Sequence, residues 1–335
     1  MAKRLGRRTI SLDRPVYLCS HAAVVGQKEG EGPLQGTFDI VSSDTHFGEK
    51  TWELAEARMQ RIAIDTATQK SGLQLSDLDL LLAGDLLNQC IGSSIASVTT
   101  NVPFVGLYGA CSTMAEGLAV GSCFIDGGVA HNLCAAASSH FCTAERQYRF
   151  PIAYGGQRTP TAQWTATAAG SVILRTQPSH IRVTHVTFGQ MVDLDVTDAN
   201  NMGAAMAPAA YDTLSHLFQD TNTAPTDYDR ILTGDLARVG SNLLKELFQR
   251  DGIDLGESYD DCGVLLYGVT QDVHAGGSGC GCSAAVLCGD ILNRMEQGTL
   301  KRVIFAGTGA LMSPTSVQQG QGIAGICHAV VLEGV

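Results

Sequence analysis

The strongest constraint on the fold of this chain is that its sequence repeats itself at long range. Residues 77–86 (DLDLLLAGDL) return as residues 227–236 (DYDRILTGDL), with six of ten positions identical at an offset of 150. Residues 111–135 align without gaps with residues 282–306 at an offset of 171, and both segments open on Cys-Ser. Because the matches keep their order, we predict a duplicated α/β unit of roughly 150 residues, far longer than the repeat of a solenoid.

The duplication divides the chain into two related halves that share one core. We expect an N-terminal half at residues 1–176, with an insertion at about 145–165, and a C-terminal half at residues 177–335. The second half has 21 more residues between the Gly-Asp-Leu phrase and the Cys-Ser segment, and the first half has 13 more after that segment. Insertions that break an internal symmetry are typical of functional loops.

Hydrophobic periodicity predicts the same series of elements in each half. Strands are predicted at 16–18, 80–82, 102–107, 170–174, 183–186, 231–232 and 327–332, and helices at 52–72, at 203–219, from 111 onward and at 282–297. The helix from 111 onward and the helix at 282–297 are rich in Gly, Ala and Ser, and small side chains let backbones approach closely. We therefore predict an α/β fold of five layers, αβαβα, with two mixed sheets around two central helices.

Composition excludes several classes of protein. The net charge of −11 argues against a nucleic-acid partner that needs a basic face. A basic cluster at residues 3–8 is interpreted as a frayed, solubilising terminus rather than a contact with a membrane or partner. No signal peptide is visible, and no run of about 18 apolar residues predicts a transmembrane segment. The 11 cysteines, an odd number found mostly in apolar or Gly/Ala-rich segments, favour reduced thiols.

Cys111 is the residue best placed for chemistry. It lies where a predicted strand turns into a predicted helix, and Gly109 is expected to take a positive φ at this turn. The positive end of the helix dipole favours a thiolate, and a neighbouring backbone N–H is suited to stabilise an oxyanion. The alternative interpretation is one more small, buried cysteine.

The Gly-Ala-Cys-Ser phrase at residues 109–112, preceded by the Asp-Leu-Asp-Leu-Leu-Leu-Ala-Gly phrase within a duplicated unit, resembles the thiolase and ketoacyl-synthase superfamily over almost the whole chain. Residues 33–39 (PLQGTFD), 158–164 (RTPTAQW) and 307–316 (GTGALMSPTS) are similar to one branch, the stage V sporulation protein AD family of spore-forming bacteria. The resemblance implies a thiolase fold and a role as a binder of pyridine-2,6-dicarboxylic acid (dipicolinic acid) during its uptake into the developing spore.

The residues that condensation chemistry needs are missing from the expected places. The resemblance implies a base and an oxyanion partner from the second half, commonly two His or a His and an Asn. The chain has no His at 233–236 and no Asn at 279–283, and it has Ala306-Gly307 where thiolases have a Cys. A nucleophile without its bases is a poor catalyst, so we predict no enzymatic activity and a vestigial Cys111. The alternative is a Cys-dependent acyltransferase or ketoacyl-synthase-like condensing enzyme with His274 as its base.

A dianionic aromatic ligand requires cationic groups and a flat apolar slot. Arginines in or beside the insertion are the candidates, with ion pairs on a solvated loop as the alternative. If the ligand arrives as its calcium chelate, its charge is largely neutralised, and hydroxyl donors matter more. The predicted ligand-binding residues are Cys111, His274, Cys282, Ser283, Thr308, Ser313, Arg146, Arg149 and Arg158.

No metal or cofactor is expected, because Cys280 and Cys282 with His274 form too sparse a pattern for zinc. The resemblance implies membrane proteins of the same uptake system as partners, a homodimer, and a location peripheral to the forespore or spore inner membrane. A purely structural subunit of a membrane complex is the remaining alternative.

Overall fold

The computed structural model describes residues 3–149 and 158–335. The strands within these residues are β1 (Lys3–Leu5), β2 (Thr9–Gly26), β3 (Ile40–Ser42), β4 (Leu80–Gly84), β5 (Phe104–Leu107), β6 (Asn132–Ser139), β7 (Trp164–Thr165), β8 (Ala168–Arg175), β9 (Ile181–Thr187), β10 (Arg230–Thr233), β11 (Tyr259–Asp261), β12 (Gly277–Ser278), β13 (Arg302–Leu311) and β14 (Ala324–Gly334). The helices are α1 (Gln27–Gly30), α2 (Trp52–Lys70), α3 (Ile91–Ser97), α4 (Thr113–Asp126), α5 (Phe141–Arg149), α6 (Met202–Thr221), α7 (Ala237–Arg250), α8 (Cys262–Leu265), α9 (Cys280–Val286), α10 (Leu292–Glu296) and α11 (Pro314–Gln318). A π-helical segment, Leu287–Ile291, joins α9 to α10.

The two halves contain five main strands each, in the same order and with the same directions. From the middle outward the first half runs β2-β8-β6-β4-β5 and the second runs β9-β14-β13-β10-β11. In each half the first two pairings are antiparallel and the last two are parallel. This repeated order is what a duplicated unit produces.

One feature of the sheets differs from the prediction of two separate sheets. The first strands of the halves, β2 and β9, pair antiparallel, for instance Ile10 with Val186 and Tyr17 with Arg182. Because β2 is 18 residues long, its N-terminal part reaches β9 while its C-terminal part pairs with β8. The two five-stranded sheets are therefore continuous at this edge.

Five layers are present, as the sequence predicts. Helix α2 packs on the outer face of the first-half sheet, and α6 packs with α7 on the outer face of the second. Between the sheets lies α4, which contacts β6 and β2 on one side and β13 and β14 on the other. Helix α9 lies beside α4 and packs on β8 and β6. The largest apolar cluster of the protein surrounds these two helices.

Small residues in the central helices are required by close approaches. A Cβ atom added to Gly121 of α4 would lie 2.9 Å from both Leu133 Cδ2 and Leu174 Cδ1. A Cβ atom added to Gly281 of α9 would lie 2.1 Å from the carbonyl oxygen of Ala168 and 2.7 Å from the backbone nitrogen of Ser139. The abundance of small residues in the two helices is therefore explained by how tightly these helices pack.

The basic N-terminus does not fray as the sequence analysis expected. Residues of β1 pair antiparallel with β2, from Lys3–Ser11 to Leu5–Thr9. The guanidinium of Arg8 forms an ion pair with Asp212, and the backbone N–H groups of Arg8 and Thr9 donate to Asp220. Two carboxylates of α6 therefore hold the segment in place, a long-range contact that local composition does not reveal.

The close approach at Gly281 leads to a testable prediction. We expect Gly281→Ala to lower the free energy of unfolding by about 3 kcal/mol, because the contacting atoms belong to the backbone and cannot rotate away. Gly268→Ala is the control, since its added Cβ would meet its nearest atom at an ordinary 3.7 Å. Denaturant unfolding should place the control within about 0.5 kcal/mol of the parent protein. Equal stability of the two variants would contradict this account of α9.

Candidate functional site

Cys111 lies at the turn between β5 and α4, and the turn differs from the expected one. Gly109 has a φ of −94°, so the expected positive φ at this glycine is wrong. The left-handed residue is Ala110, with a φ of 51°, an unfavourable conformation for a residue with a side chain. A 3₁₀ turn, Ala110–Ser112, carries the cysteine, and α4 begins one residue later.

Glycines of β13 bring this turn against the second half. A Cβ added to Gly309 would lie 2.6 Å from the carbonyl oxygen of Gly109, and one added to Gly307 would lie 2.6 Å from Ala115 Cβ. Between these glycines stands Thr308, which is fully buried. The Gly-Thr-Gly sequence of β13 therefore allows the start of α4 to pack closely against this strand.

Asp235 is the chemical partner of Cys111. It follows β10 and is completely buried, and its carboxylate acts electrostatically on the thiol of Cys111. Thr308 Oγ1 donates to Oδ1 over 2.9 Å, Ser278 Oγ donates to Oδ2 over 3.0 Å, and the N–H of Gly279 donates to Oδ2 over 2.9 Å. Thr308 also accepts from the backbone N–H of Asp235, over 3.1 Å. Three donors thus converge on one carboxylate.

This arrangement keeps Cys111 in its thiol form. Burial raises the pKa of the Cys111 thiol well above its ordinary value, and the adjacent charge of Asp235 raises it further. Burial also raises the pKa of Asp235, although the thiol of Cys111 first, and then its hydrogen bonds, oppose the shift. A thiolate here would place two negative charges side by side in a buried site. The sequence expectation that the helix dipole favours a thiolate is therefore wrong, because Asp235 and burial outweigh the dipole.

A small cavity of about 70 Å³ opens in front of Cys111. Its described lining contains no Lys, Arg or His and one acidic residue, Glu145; it consists of Leu86, Ala110, Cys111, Ala144, Glu145, Tyr148, Gln163, Thr165, Met202, Met206, Ser278, Ala310 and Met312. We call this the inner cavity. Three methionines and the small residues of α5 and β13 give it apolar, adaptable walls.

A larger space of about 460 Å³ adjoins the inner cavity and shares four of its lining residues. We call it the outer pocket. Its further described lining is uncharged and rich in hydroxyl and amide groups: Asn88, Tyr108, Gln147, Leu311, Ser313, Pro314 and Thr315. The two spaces together suit a ligand that is held by neutral donors and apolar contacts.

Only some of the predicted ligand-binding residues reach these spaces. Cys111 lines the inner cavity, Ser313 lines the outer pocket, and Thr308 lies behind Asp235. Cys282 and Ser283 are fully buried in α9 and line neither space; Ser283 Oγ donates to the carbonyl of Cys280 over 3.3 Å.

His274 is also placed away from both spaces. Its Nδ1 lies 2.6 Å from the carbonyl oxygen of Thr159, and its Nε2 lies 3.3 Å from Asp272. Its own carbonyl accepts from Arg238 over 2.7 Å. The ring therefore fastens the loop before β12 to the segment after residue 157, and it does not face Cys111 as a base.

Arg146 and Arg158, the two predicted arginines whose side chains the structure describes, do not line the two spaces either. Arg146 forms an ion pair with Glu53 across α5 and α2. The guanidinium carbon of Arg158 lies 4.9 Å from the centroid of the Trp164 ring. The side chain of Arg149 and residues 150–157 of the expected insertion lie outside the described residues.

The sequence matches the model of one family from residue 6 to residue 333, that of stage V sporulation protein AD. Stage V sporulation protein AD of Bacillus subtilis (strain 168) is 45% identical over 331 residues, which cover 99% of this chain and 98% of that protein. The chain belongs to the stage V sporulation protein AD family. It is therefore a sporulation protein, and its likeness to the Bacillus subtilis protein covers nearly the whole of both chains.

Solved structures establish the fold more broadly. 3-Oxoacyl-[acyl-carrier-protein] synthase III from Aquifex aeolicus superposes with a TM-score of 0.59 over 95% of this chain and 99% of that chain, at 12% identity. A variant of OleA from Xanthomonas campestris superposes with a TM-score of 0.58 over 99% of both chains, at 14% identity. At such low identity the likeness shows the thiolase-like fold and nothing of activity.

Sequence reasoning missed Asp235, the residue on which the site is built. A signal was present, since the Gly-Asp-Leu phrase occurs at the end of a predicted strand in both halves, at 84–86 and 234–236. It also missed Ser278, Gln163 and the wall formed by α5. These residues come from segments that are distant in sequence, so only their meeting in space reveals their role.

The pairing of Asp235 with Cys111 predicts how the thiol reacts. We expect Asp235→Asn to speed alkylation of Cys111 by iodoacetamide at about pH 8 by about tenfold for each unit by which the thiol pKa falls. The amide is nearly isosteric, so access to the cavity stays the same. Alkylation of the half-buried Cys142, followed in the same samples by peptide mass spectrometry, should not change and serves as the control. An unchanged rate at Cys111 would contradict the charge argument.

Proposed function

We propose that this chain is a non-catalytic binder of dipicolinic acid, in the inner cavity and outer pocket, for the uptake of this acid into the developing spore. The observation that carries the proposal is the buried carboxylate of Asp235, whose charge raises the pKa of the Cys111 thiol. A condensing enzyme needs this sulfur as a nucleophile, whereas here a carboxylate disfavours its ionised form. The cavity remains, and the described residues around it offer a recognition surface instead of a reactive one.

The described lining favours the calcium chelate of dipicolinate as the bound form. A free dianion is best held by Arg or Lys, and neither occurs among the described residues of the two spaces. The carboxyls of Asp235 and Glu145 would also repel it. A chelate of one dianion with one divalent cation is neutral, and neutral polar groups such as the Gln163 amide and the Ser313 hydroxyl suit it.

The alternative, a Cys-dependent acyltransferase, has the position of Cys111 at the base of a cavity in its favour. It requires a proton acceptor for the thiol, and Asp235 is the candidate whose charge acts on the sulfur. Transfer of a proton from a thiol whose pKa is raised this far to a carboxylate is strongly uphill. We therefore expect acyl-coenzyme A to leave Cys111 unmodified.

The proposed partners are membrane proteins of the same uptake system, to which this protein would bind at the inner membrane of the forespore or spore. Within residues 3–149 and 158–335, no helix has the length and apolar content needed to cross a bilayer. A partner is therefore the proposed means of membrane association.

We also propose a homodimer that pairs through β5. This strand ends the sheet, and its outer edge has no partner strand among the described residues. Residues 86–115 contain no charged side chain in a protein with a net charge of −11. Val98 and Val105, which are 74% and 40% exposed, lie within this uncharged segment. Two copies can approach here without the repulsion that other faces impose.

Titration calorimetry tests the binding proposal. We expect saturable binding of dipicolinate that tightens when calcium is present in equimolar amount. Ala310→Leu should weaken it by at least about tenfold, because Ala310 lines both spaces and the added atoms fill them. Ala224→Leu, the same change at an exposed position on the second half, is the matched control and should bind as the parent does. Equal affinity of the two variants would place the ligand elsewhere.

Sedimentation velocity tests the dimer. Val105→Lys introduces like charges on both copies across the proposed strand pairing, so we expect the dimer to dissociate. Val269→Lys, at a position that is 87% exposed and remote from β5 in sequence, is the control. A dimer that survives the first change as well as the second would exclude β5 as the interface.

A further inference from the structure

A buried pair of carboxyl groups lies behind the helix that walls the inner cavity. Glu56 of α2 is completely buried, as is Asp85 directly after β4. Glu56 Oε1 accepts from Ser138 Oγ over 3.3 Å, while Asp85 Oδ2 accepts from Ser93 Oγ over 2.6 Å and from the Ser93 N–H over 2.7 Å. These groups are not part of the cavity lining, and the proposed binding mode does not use them.

Gln60 connects the two carboxyls into one polar chain. Its Nε2 donates to Ser138 Oγ over 3.1 Å and to Ser93 Oγ over 3.0 Å, so each serine links it to one carboxyl. Its Oε1 is buried and has no donor among the described residues. A chain with a spare buried acceptor is suited to hold an additional proton.

Two attachments of α5 lie at this chain or directly beside it. Thr143 Oγ1 donates to Glu56 Oε2 over 2.7 Å. One turn later, Gln147 Nε2 donates to the carbonyl of Leu86 over 3.1 Å, and the hydroxyl of Tyr148 donates to the same carbonyl. Leu86 directly follows Asp85. One face of α5 is therefore fastened at one end to Glu56 and at the other to the residue beside Asp85.

The same helix forms the wall of the proposed ligand site. Ala144 and Tyr148 line the inner cavity, and Gln147 and Tyr148 line the outer pocket. A change in how α5 is fastened must therefore change the shape of both spaces.

We propose that Glu56 and Asp85 act as a latch that positions α5 while the pair holds a proton and releases it when both carboxyls are ionised. The effect on ligand affinity rests on the proposed function, whereas the effect on α5 itself does not. Two charges in this buried site repel each other and are cut off from water, and this cost outweighs the hydrogen bond from Thr143, which by itself favours the ionised form. Movement of α5, which contacts Glu56 through Thr143, would let water reach the carboxyls.

The direction of the pKa shifts of Glu56 and Asp85 supports this assignment. Burial first, and then the charge of Asp85, raise the pKa of Glu56 to about 8. Burial likewise raises the pKa of Asp85. The other titratable groups on which the pair acts do not supply a compensating positive charge: burial raises the pKa values of Cys90, Tyr108 and Cys280, so all three are neutral. The nearby charged pair, Arg146 with Glu53, lies on the exposed side of α5.

The raised pKa of Glu56 determines how the stability of the folded protein changes with pH. The folded-state pKa of Glu56 lies above its ordinary value of 4.5, so the folded protein binds the proton more tightly than the unfolded chain does. Its contribution to stability is therefore present at low pH and is lost as the pH rises from about 4.5 to about 8. Release of α5 is expected at and above the upper end of this window.

Hydrogen exchange of the unliganded protein tests the latch directly. At about pH 4.5 the amides of α5 should exchange nearly equally in the parent and in Glu56→Gln, because glutamine mimics the protonated acid. At about pH 9 the parent should exchange about tenfold faster than the variant, and comparison at the same pH removes the intrinsic rate. Glu53→Gln, which breaks the exposed ion pair between the same two helices, should keep the pH response of the parent.

Calorimetry with dipicolinate provides the second readout. The affinity of the parent should fall by up to about tenfold between about pH 7 and about pH 9, and that of Glu56→Gln should stay constant. Absence of dipicolinate binding at both pH values, with the exchange difference intact, would refute the proposed function and leave the latch standing. Equal exchange of α5 in the parent and Glu56→Gln at about pH 9 would overturn the latch whatever the ligand does.

Thr143→Val tests the latch if Glu56→Gln does not fold. It retains the carboxyl and removes the donor on α5, so α5 should exchange fast at both pH values. Exchange that still depends on pH as in the parent would overturn the proposal.

Discussion

The structure depends on two helices that pack between two sheets at distances which only glycine and the smallest side chains permit. Gly281 and Gly121 mark the closest approaches of α9 and α4 to the first-half sheet, and Gly307 and Gly309 mark the approach of α4 to β13. Close-packed interiors tolerate little change in volume. This packing fixes the start of α4, and with it Cys111, against the carboxyl ends of the second-half strands.

The site follows from that placement. The strand end that carries Asp235 and the turn that carries Cys111 meet because α4 bridges the two halves. Their electrostatics then decide the chemistry: a buried carboxylate held by three donors favours a thiol at Cys111, not a thiolate. A fold shared with 3-oxoacyl-[acyl-carrier-protein] synthase III thus contains a cavity in which an acidic residue acts on the cysteine.

Much of the fold could be predicted from the sequence because the duplication allows each half to be checked against the other. The order of strands and the small-residue helices were predictable since the same phrases occur twice in the same order. The arginine candidates were chosen by their nearness to an insertion, and nearness in sequence says nothing about which way a side chain points. Arg146 turns to Glu53 on the exposed side of α5. His274 was chosen for its chemistry, yet a carbonyl oxygen holds its ring.

The sequence by itself determined the duplicated architecture, the two central helices, the position of Cys111 and the missing bases, because each is written in local patterns of spacing and residue type. Only the tertiary structure decided the protonation state of Cys111, the joining of the sheets through β2 and β9, and the place of α5 above the carboxyl pair. These depend on groups between 25 and 200 residues apart, roughly, whose meeting requires the whole core to form. Burial then shifts their pKa values, and burial is a property of the folded molecule alone.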